Sequence, residues 1–293
     1  MTLEQLRVFV AVAERLHVTQ AAEALHMTQS AASAAVQALE ASTGARLFNR
    51  VGRRVELTQA GTVLLAEATA VLARAHAAQQ ALDDLTALRR GHLNLWASQT
   101  IGSYRLPALM HRFREIHPAV TLSLRIGNTA QVAEAVLSGA ADLGFVEGDT
   151  DSGVLVRTDI GGDALRLVVP AGAASGDTAE MLRRLGWVMR EPGSGTRALH
   201  EHALRDLGLD PAGIVPVLEL PSNEAVLAAV QAGAGATILS SLVVDAAIAA
   251  GRVAVLDVTL PSRRFSALRH ADRARSAAVA AFLDVVKTES ASF

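Results

Sequence analysis

Four short stretches place hydroxyls, amides and glycines where a helix is about to begin. They are Ser98-Gln99-Thr100, Gly127-Asn128-Thr129, Gly193-Ser194-Gly195-Thr196 and Ser222-Asn223. The first backbone N–H groups of a helix have no partner within it, and together with a hydroxyl they favour a negative charge. Arg197 adds a cation beside the third stretch. Glu147, just past a β-prone run, either lines the same region or is solvated. Ser, Thr, Asn and Gly are also what ordinary helix capping selects, so any one stretch alone reads as a cap. Four of them facing one cleft read as a binding site for a small anion such as a carboxylate, a phosphorylated metabolite or a sulfur oxyanion. The expected contacts are Ser98, Gln99, Thr100, Asn128, Thr129, Glu147, Ser194, Gly195, Thr196, Arg197 and Asn223.

A second constellation lies near the N-terminus. Thr28 suits the N-cap of a helix whose outward face carries Gln29, Ser30, Ser33, Ala34 and Gln37, with Gly44 closing it. That face is short, polar and uncharged, so it can enter a major groove and meet base edges. Two β-prone runs flanking Gly52 follow, with Arg50, Arg53 and Arg54 at their tip. The pattern predicts a β-wing whose arginines reach phosphates. Thr28, Gln29, Ser30, Ser33, Gln37, Arg50, Arg53 and Arg54 are the expected nucleic-acid contacts.

Other chemistries lack support. The run Gly193-Ser194-Gly195 has no Gly-Lys-Ser/Thr at phosphate-loop spacing, and Pro192 stands where a nucleophile elbow needs glycine. His200 and His202 are two apart on a predicted helix, hence on different faces, and do not suggest a shared metal. His17 and His26 read as surface or locally packed residues. The 293 residues include no cysteine, which excludes disulfides, thiolate nucleophiles and cysteine-held clusters. The net charge is −2 and Lys287 is the only lysine, so any nucleic-acid surface must be local. No triad, metal set or cofactor fingerprint points to an enzyme, and no cofactor is expected. No uncharged apolar run reaches the roughly 18 residues of a membrane span. The opening Met1-Thr2-Leu3-Glu4-Gln5 lacks the basic and apolar regions of a signal peptide, which predicts a cytoplasmic location.

The elements that must position these groups follow from periodicity. Leu3, Leu6, Phe9, Val10, Ala13 and Leu16 predict a first helix, Val18–Leu25 a second, and the His26-Met27 break leads into the third, which buries Ala31, Ala32, Ala35, Val36 and Leu39. Thr58 to Arg90 reads as one helix of about 45 Å. Its seam of Leu64, Ala68, Val71, Ala75, Ala78, Leu82 and Leu85 has the 3.5-residue period of a coiled coil. Burial of this seam against the chain's own domain is the alternative to a partner helix.

After Gly91 strands and helices alternate. Strands are expected at 93–97, 120–126, 142–146, 164–169, 187–189, 215–218, 236–239, 253–256 and 264–268, as βαβ units of parallel sheets. Helices are expected through Leu106–Ile116, Val132–Leu137, Thr178–Leu185, Thr196–Leu207, Asn223–Ala232, 241–249 and to about Val286. The Asp- and Gly-rich segment from Thr150 to Gly162 reads as a crossover. Two α/β lobes would leave a cleft between them.

The runs Leu3-Glu4-Gln5-Leu6-Arg7-Val8-Phe9-Val10-Ala11-Val12-Ala13-Glu14 and Thr19-Gln20-Ala21-Ala22-Glu23-Ala24-Leu25-His26-Met27-Thr28-Gln29-Ser30-Ala31-Ala32-Ser33 resemble the opening of LysR-type transcriptional regulators. Leu39-Glu40, Gly44, Leu47-Phe48-Asn49-Arg50 and Leu57-Thr58-Gln59-Ala60-Gly61 keep the register. Ala34 and Gln37 depart from it, since many members carry Arg or Lys there, which shifts affinity towards the wing. The segment Arg190-Glu191-Pro192-Gly193-Ser194-Gly195-Thr196-Arg197 is similar to one in regulators of carbon-fixation operons and of sulfur or sulfite response.

The resemblance implies an α/β chain with an N-terminal all-α winged helix-turn-helix (1–58), a long dimerising linker helix (59–90) and a two-lobed effector domain resembling periplasmic binding proteins (91–293). Lobe I would comprise 92–162 and 265–293, and lobe II 163–264. It further implies a homo-oligomer, a dimer or a dimer of dimers, on double-stranded promoter DNA. A solute-binding protein or an enzyme on an α/β scaffold is the competing reading, and it leaves the first ninety residues unexplained.

Overall fold

The structure is a computed structural model and describes residues 1–51, 54–84, 91–148, 152–173, 182 and 186–290. The helix expected at Thr178–Leu185 lies, apart from Leu182, outside them, as do Gly52, Arg53 and the end of the linker from Leu85 to Arg90. The contact pattern separates a unit formed mainly by Met1–Leu85 from a larger one formed by the rest.

In the first unit α1 (Leu3–Arg15), α2 (Val18–Ala24) and α3 (Gln29–Thr43) precede the hairpin β1 (Phe48–Val51) and β2 (Arg54–Leu57) and the long helix α4 (Gln59–Asp84). Local chemistry sets each boundary. The Thr2 hydroxyl and the Gln5 amide form a reciprocal capping box on α1. Thr28 Oγ1 accepts from Ala31 N at 3.2 Å, and Gly44 ends α3 at φ +69°. His26 takes φ +54° in the turn between α2 and α3. Thr58 Oγ1 accepts from Gly61 N at 3.0 Å and caps α4.

The core gathers Leu6, Phe9, Val12, Ala22, Ala32, Leu39, Leu47 and Ala68. Leu64 packs against it and Ala68 lies within it, so the first turns of the predicted seam are covered by the chain's own head. Val71, by contrast, is 43% exposed. Ala31, read from the sequence as buried, is exposed. Ala32 and Leu39 are buried and Ala35 and Val36 pack half-buried against the same core, so α3 meets it along that line and leaves Ala31 outside.

The larger unit holds two main sheets. One has the order β4-β3-β5-β12-β6, built from β3 (Gly91–Ser98), β4 (Val120–Gly127), β5 (Leu143–Glu147), β6 (Leu155–Asp163) and β12 (Arg263–His270). Helices α5 (Gln99–Tyr104), α6 (Leu106–Ile116) and α7 (Thr129–Ser138) connect its first strands, and α11 (Ala277–Ser290) returns to it. Phe113, Phe145 and Phe282 meet edge to face in its core.

The other sheet has the order β10-β7-β11, from β7 (Leu165–Pro170), β10 (Thr237–Ser240) and β11 (Val253–Leu256). It is flanked by α8 (Gly195–Asp206), α9 (Asn223–Gln231) and α10 (Ser241–Ala249) and by the pair β8 (Val188–Arg190) and β9 (Leu218–Leu220).

Three expectations change. The sheets are mixed: β3 runs parallel to β4 and β5, but β12 is antiparallel to β5 and β6, and β7 to β10 and β11. The strand read at 215–218 lies at 218–220, and Val215 is 87% exposed. The expected crossover holds all but the last residue of the nine-residue strand β6, which buries Leu155 and Ile160. Its glycines serve a bulge opposite Arg264 and Ser266. Gly161 has φ +93°, and a Cβ on Gly162 would come within 2.1 Å of the Arg263 carbonyl oxygen.

Candidate functional site

The head presents an open polar face. Thr28, Gln29, Ser30 and Gln37 are exposed, and Ser33 is half-buried at the same surface. Thr28 and Ser30 share a hydrogen bond of 3.0 Å. The base of the hairpin is fixed by Glu40 Oε1, which accepts from Leu47 N at 2.7 Å and Phe48 N at 3.2 Å. The Val55 amide donates to the Leu16 carbonyl at 3.2 Å and ties the second strand to α1. The side chains of Arg50 and Arg54, and all of Arg53, lie outside the described residues.

In the larger unit the strand ends and helix starts converge on two adjacent buried clusters. The first surrounds Glu147, which is 1% exposed. Its carboxylate accepts from the Ser98 hydroxyl and, at 3.1 Å, from Thr196 Oγ1. Thr129 Oγ1 donates to the Glu147 carbonyl at 3.3 Å and accepts from Gly195 N at 3.1 Å. A Cβ on Gly195 would lie 2.4 Å from the Glu147 carbonyl oxygen and 2.5 Å from Thr129 Oγ1, so only glycine lets α8 start there. The first turn of α8, its partly positive end, therefore abuts a carboxylate that belongs to the chain itself.

The second cluster is built on Arg190, which is 3% exposed. Its Nη1 donates to Gln99 Oε1 at 2.9 Å and Asn223 Oδ1 at 2.7 Å, and Nε reaches Glu191 at 2.8 Å. Asn223 Nδ2 donates to Thr100 Oγ1 at 3.0 Å. Burial pushes the Glu191 carboxyl up, but the hydrogen bonds and charge of Arg190 outweigh it, and the net shift is downward. Asn128 joins the cluster through Glu191, 3.3 Å away, while its own Oδ1 takes Gln131 N at the start of α7.

Ser194 and Arg197 sit at the rim. Ser194 caps α8, and Arg197 pairs with Glu201 at 2.9 Å and Glu219 at 2.6 Å. Burial lowers the Arg197 pKa and these two carboxylates more than restore it, so the guanidinium is held charged but neutralised. A groove of about 540 Å³ opens beside both, lined by Thr129, Ala133, Gly193, Ser194, Gly195 and Arg197 among others.

Arg190, Glu191, Asp163 and Arg263 are buried or half-buried partners of these residues that the sequence reading missed. Arg190 and Glu191 alone left a signal, as the first two residues of the stretch ending at Arg197. His200 is buried against Trp187 and His202 is exposed, so the two do face apart. Among the described residues no group of His, Cys, Asp and Glu could hold a metal ion, and no helix is long and apolar enough to cross a membrane.

Residues 3–62 match the family model described as bacterial regulatory helix-turn-helix protein, lysR family, and residues 86–291 match the LysR substrate binding domain. Among curated relatives, an uncharacterized HTH-type transcriptional regulator, YeiE of Escherichia coli K12, is 35% identical over 291 residues, covering 97% of this chain and 96% of its own. The HTH-type transcriptional regulator CbbR of Rhodospirillum rubrum is 35% identical over 269 residues, covering 89% and 87%. Among solved structures, full-length CbnR complexed with its target DNA aligns with TM-score 0.68 at 25% identity over 98% of this chain and 99% of that one. The chain thus belongs to the LysR family of DNA-binding transcriptional regulators, with a helix-turn-helix head and a two-lobed α/β effector domain.

Proposed function

We propose that this regulator binds its promoter through α3 and the wing and is switched by a small anion in the cleft of the effector domain. Gln29, Ser30, Ser33 and Gln37 meet base edges or adjacent phosphates, with Thr28 fixing the helix start, and Arg50, Arg53 and Arg54 hold the backbone. The cleft contacts are Ser98, Gln99, Thr100, Asn128, Thr129, Ser194, Gly195, Thr196, Arg197 and Asn223. The protein works in the cytoplasm, by regulation and not catalysis, as a dimer or a dimer of dimers.

The observation that carries the sensor reading is the Glu147 cluster. Two hydroxyls and a helix start already stabilise one carboxylate there. An effector anion entering from the groove beside Thr129 and Gly195 would take over the hydroxyls that Glu147 now occupies. Because a ligand shifts a population only by its difference in affinity between states, releasing Glu147 supplies that difference. Calorimetric titration with sulfate, inorganic phosphate and acetate tests this. At least one should bind, Ser98→Ala with Thr196→Val should weaken it roughly tenfold or more, and Glu147→Gln should strengthen it. Tight binding of a neutral apolar ligand, or anion binding untouched by these changes, overturns the anion reading.

The linker helix supplies the dimer contact from Val71 onward, in the domain plan of a head to residue 58, a linker to 90 and lobes of 92–162 with 265–293 and 163–264. Exposed Val71 and Ala78 continue the seam beyond the part that covers the head. Light scattering of a Val71→Asp, Ala78→Asp variant should show smaller particles, and an unchanged oligomer would reject this interface.

A further inference from the structure

The chain passes between the two sheets of the effector domain twice, once after Asp163 at the end of β6 and once before Arg263 at the start of β12. Those two residues are paired across the strands and joined by an ion pair whose side chains are 3% and 0% exposed. Arg263 Nε and Nη2 each reach one Asp163 oxygen at 2.6 Å, a two-pronged contact of fixed geometry. The guanidinium lies over the Phe265 ring at 5.0 Å, and the Ser240 hydroxyl, which caps α10, donates to the same carboxylate. Arg263 Nη1 also approaches Thr100 Oγ1 at 3.4 Å. Thr100 therefore receives from both Arg263 and Asn223, which leaves its own proton as the only polar function it can offer.

We propose that the Asp163–Arg263 pair is a hinge lock and that Arg263 is a positioning residue for the cleft. It pins both chain crossings in one relative setting and turns the Thr100 hydroxyl into a donor. A change of lobe angle must pull Ser240, on β10 of the other sheet, away from the Asp163 carboxylate that the fork holds, and a ligand that takes the Thr100 proton is tied to that event through Arg263. This inference uses the two-lobed cleft of the preceding reading but does not depend on the effector being an anion.

The absence of cysteine makes the lock measurable in the full chain. Arg114→Cys on α6 and Ala249→Cys on α10, both at exposed positions, carry spin labels on the two sides of the hinge, diluted into unlabelled protein. Pulsed dipolar spectroscopy without ligand should give one narrow distance in the parent. Asp163→Leu with Arg263→Met replaces the pair by apolar groups and leaves no orphaned charge, so the fold is kept while the lock is removed. The expected result is a broadened distribution or a second peak, with Asp163→Asn giving a smaller change of the same kind. A folded variant that keeps the parent's peak and width overturns the lock. Unfolding of both variants assigns the pair to stability alone and overturns it equally. Neither outcome touches the anion titration, so the two readings fail separately.

Discussion

The outward polar face of α3 and the cluster around Glu147 are made from the same residue types and stand in opposite states. On α3 the hydroxyls and amides of Thr28, Ser30, Gln29 and Gln37 lie open to solvent. In the effector domain Ser98, Thr100, Thr129, Thr196 and Asn223 are buried and bonded to one another or to Glu147 and Arg190. The first surface has its polar groups already open to a partner. The second must break internal bonds before it can meet anything, which is the property a switch requires. Substitutions should therefore separate cleanly: the buried set through stability and coupling, the open set through affinity.

The largest effect should come from Arg190→Ala. It strands Glu191, Gln99 and Asn223 around an empty site, and loss of one partner of a buried ion pair costs about 3–5 kcal/mol. Glu191 keeps a wet side, with 26% of its side chain exposed, so the lower end of that range is expected in urea unfolding followed by circular dichroism. A loss within the roughly 0.5 kcal/mol usual for surface changes would show that the cluster is not a structural unit.

His200 gives the next effect, and it depends on pH. Burial first, then the charge of Arg197, pushes its pKa from 6.5 to about 3. The unfolded chain takes up a proton between those values and the folded one does not. Stability is full above about pH 6.5 and falls on acidification through the window down to about pH 3, by about 1.4 kcal/mol per pH unit. Between pH 6.5 and pH 5 the effector domain should lose about 2 kcal/mol by this route. His200→Phe keeps a ring against Trp187 and should flatten that slope. An unchanged slope would mean His200 is protonated without cost.

Much of this was legible in the sequence, for reasons that differ between the two regions. In the head each boundary has a local cause, Thr28, Gly44 and Thr58, and local causes are readable without tertiary contacts. In the effector domain the strand positions followed from apolar runs, but strand direction did not. Parallel β3 and antiparallel β12 both mix apolar and polar residues, and only their partners set their direction. Strand β6 was hidden because its edge position leaves Arg157 and Asp159 facing out and its bulge requires Gly161 and Gly162, which together look like a loop.

The site residues were found as helix starts. Their mutual satisfaction was not, because it depends on Arg190 and Arg263, whose partners are distant in sequence at Gln99, Asn223 and Asp163. The wing arginines remain a sequence-level assignment, since their side chains fall outside the described residues.

A smaller effect in the head sharpens the contrast. Gly61 faces the Leu47 carbonyl oxygen, which an added Cβ would approach to 2.2 Å. That atom is backbone and cannot swing aside, so Gly61→Ala should cost about 1–3 kcal/mol through overpacking. It should also disturb the base of the wing, because the Leu47 carbonyl accepts from Thr58 N at 3.0 Å. Thermal melting of the variant should show an earlier transition of the head, with the effector domain unchanged. A head that melts as the parent does would mean the strands slide without cost.

The smallest effect on stability should come from the open face itself, and it is the most informative about DNA. Gln29→Ala with Gln37→Ala removes two exposed amides that cap no helix, so unfolding should shift by less than about 0.5 kcal/mol. On the promoter, each base contact of this kind discriminates by about 1–3 kcal/mol, so the double variant should bind its own site more weakly while binding to unrelated DNA stays the same. Arg50→Ala with Arg54→Ala should do the reverse, weakening both sequences alike and reducing the slope of log affinity against log salt by about 0.9 for each phosphate that is no longer neutralised. Gel shifts over a salt series separate the two behaviours. If the glutamine variant loses affinity equally on both sequences, α3 reads phosphates and not bases. If the arginine variant keeps its salt slope, the wing does not hold the backbone, and the DNA affinity of this nearly neutral chain must come from a different surface.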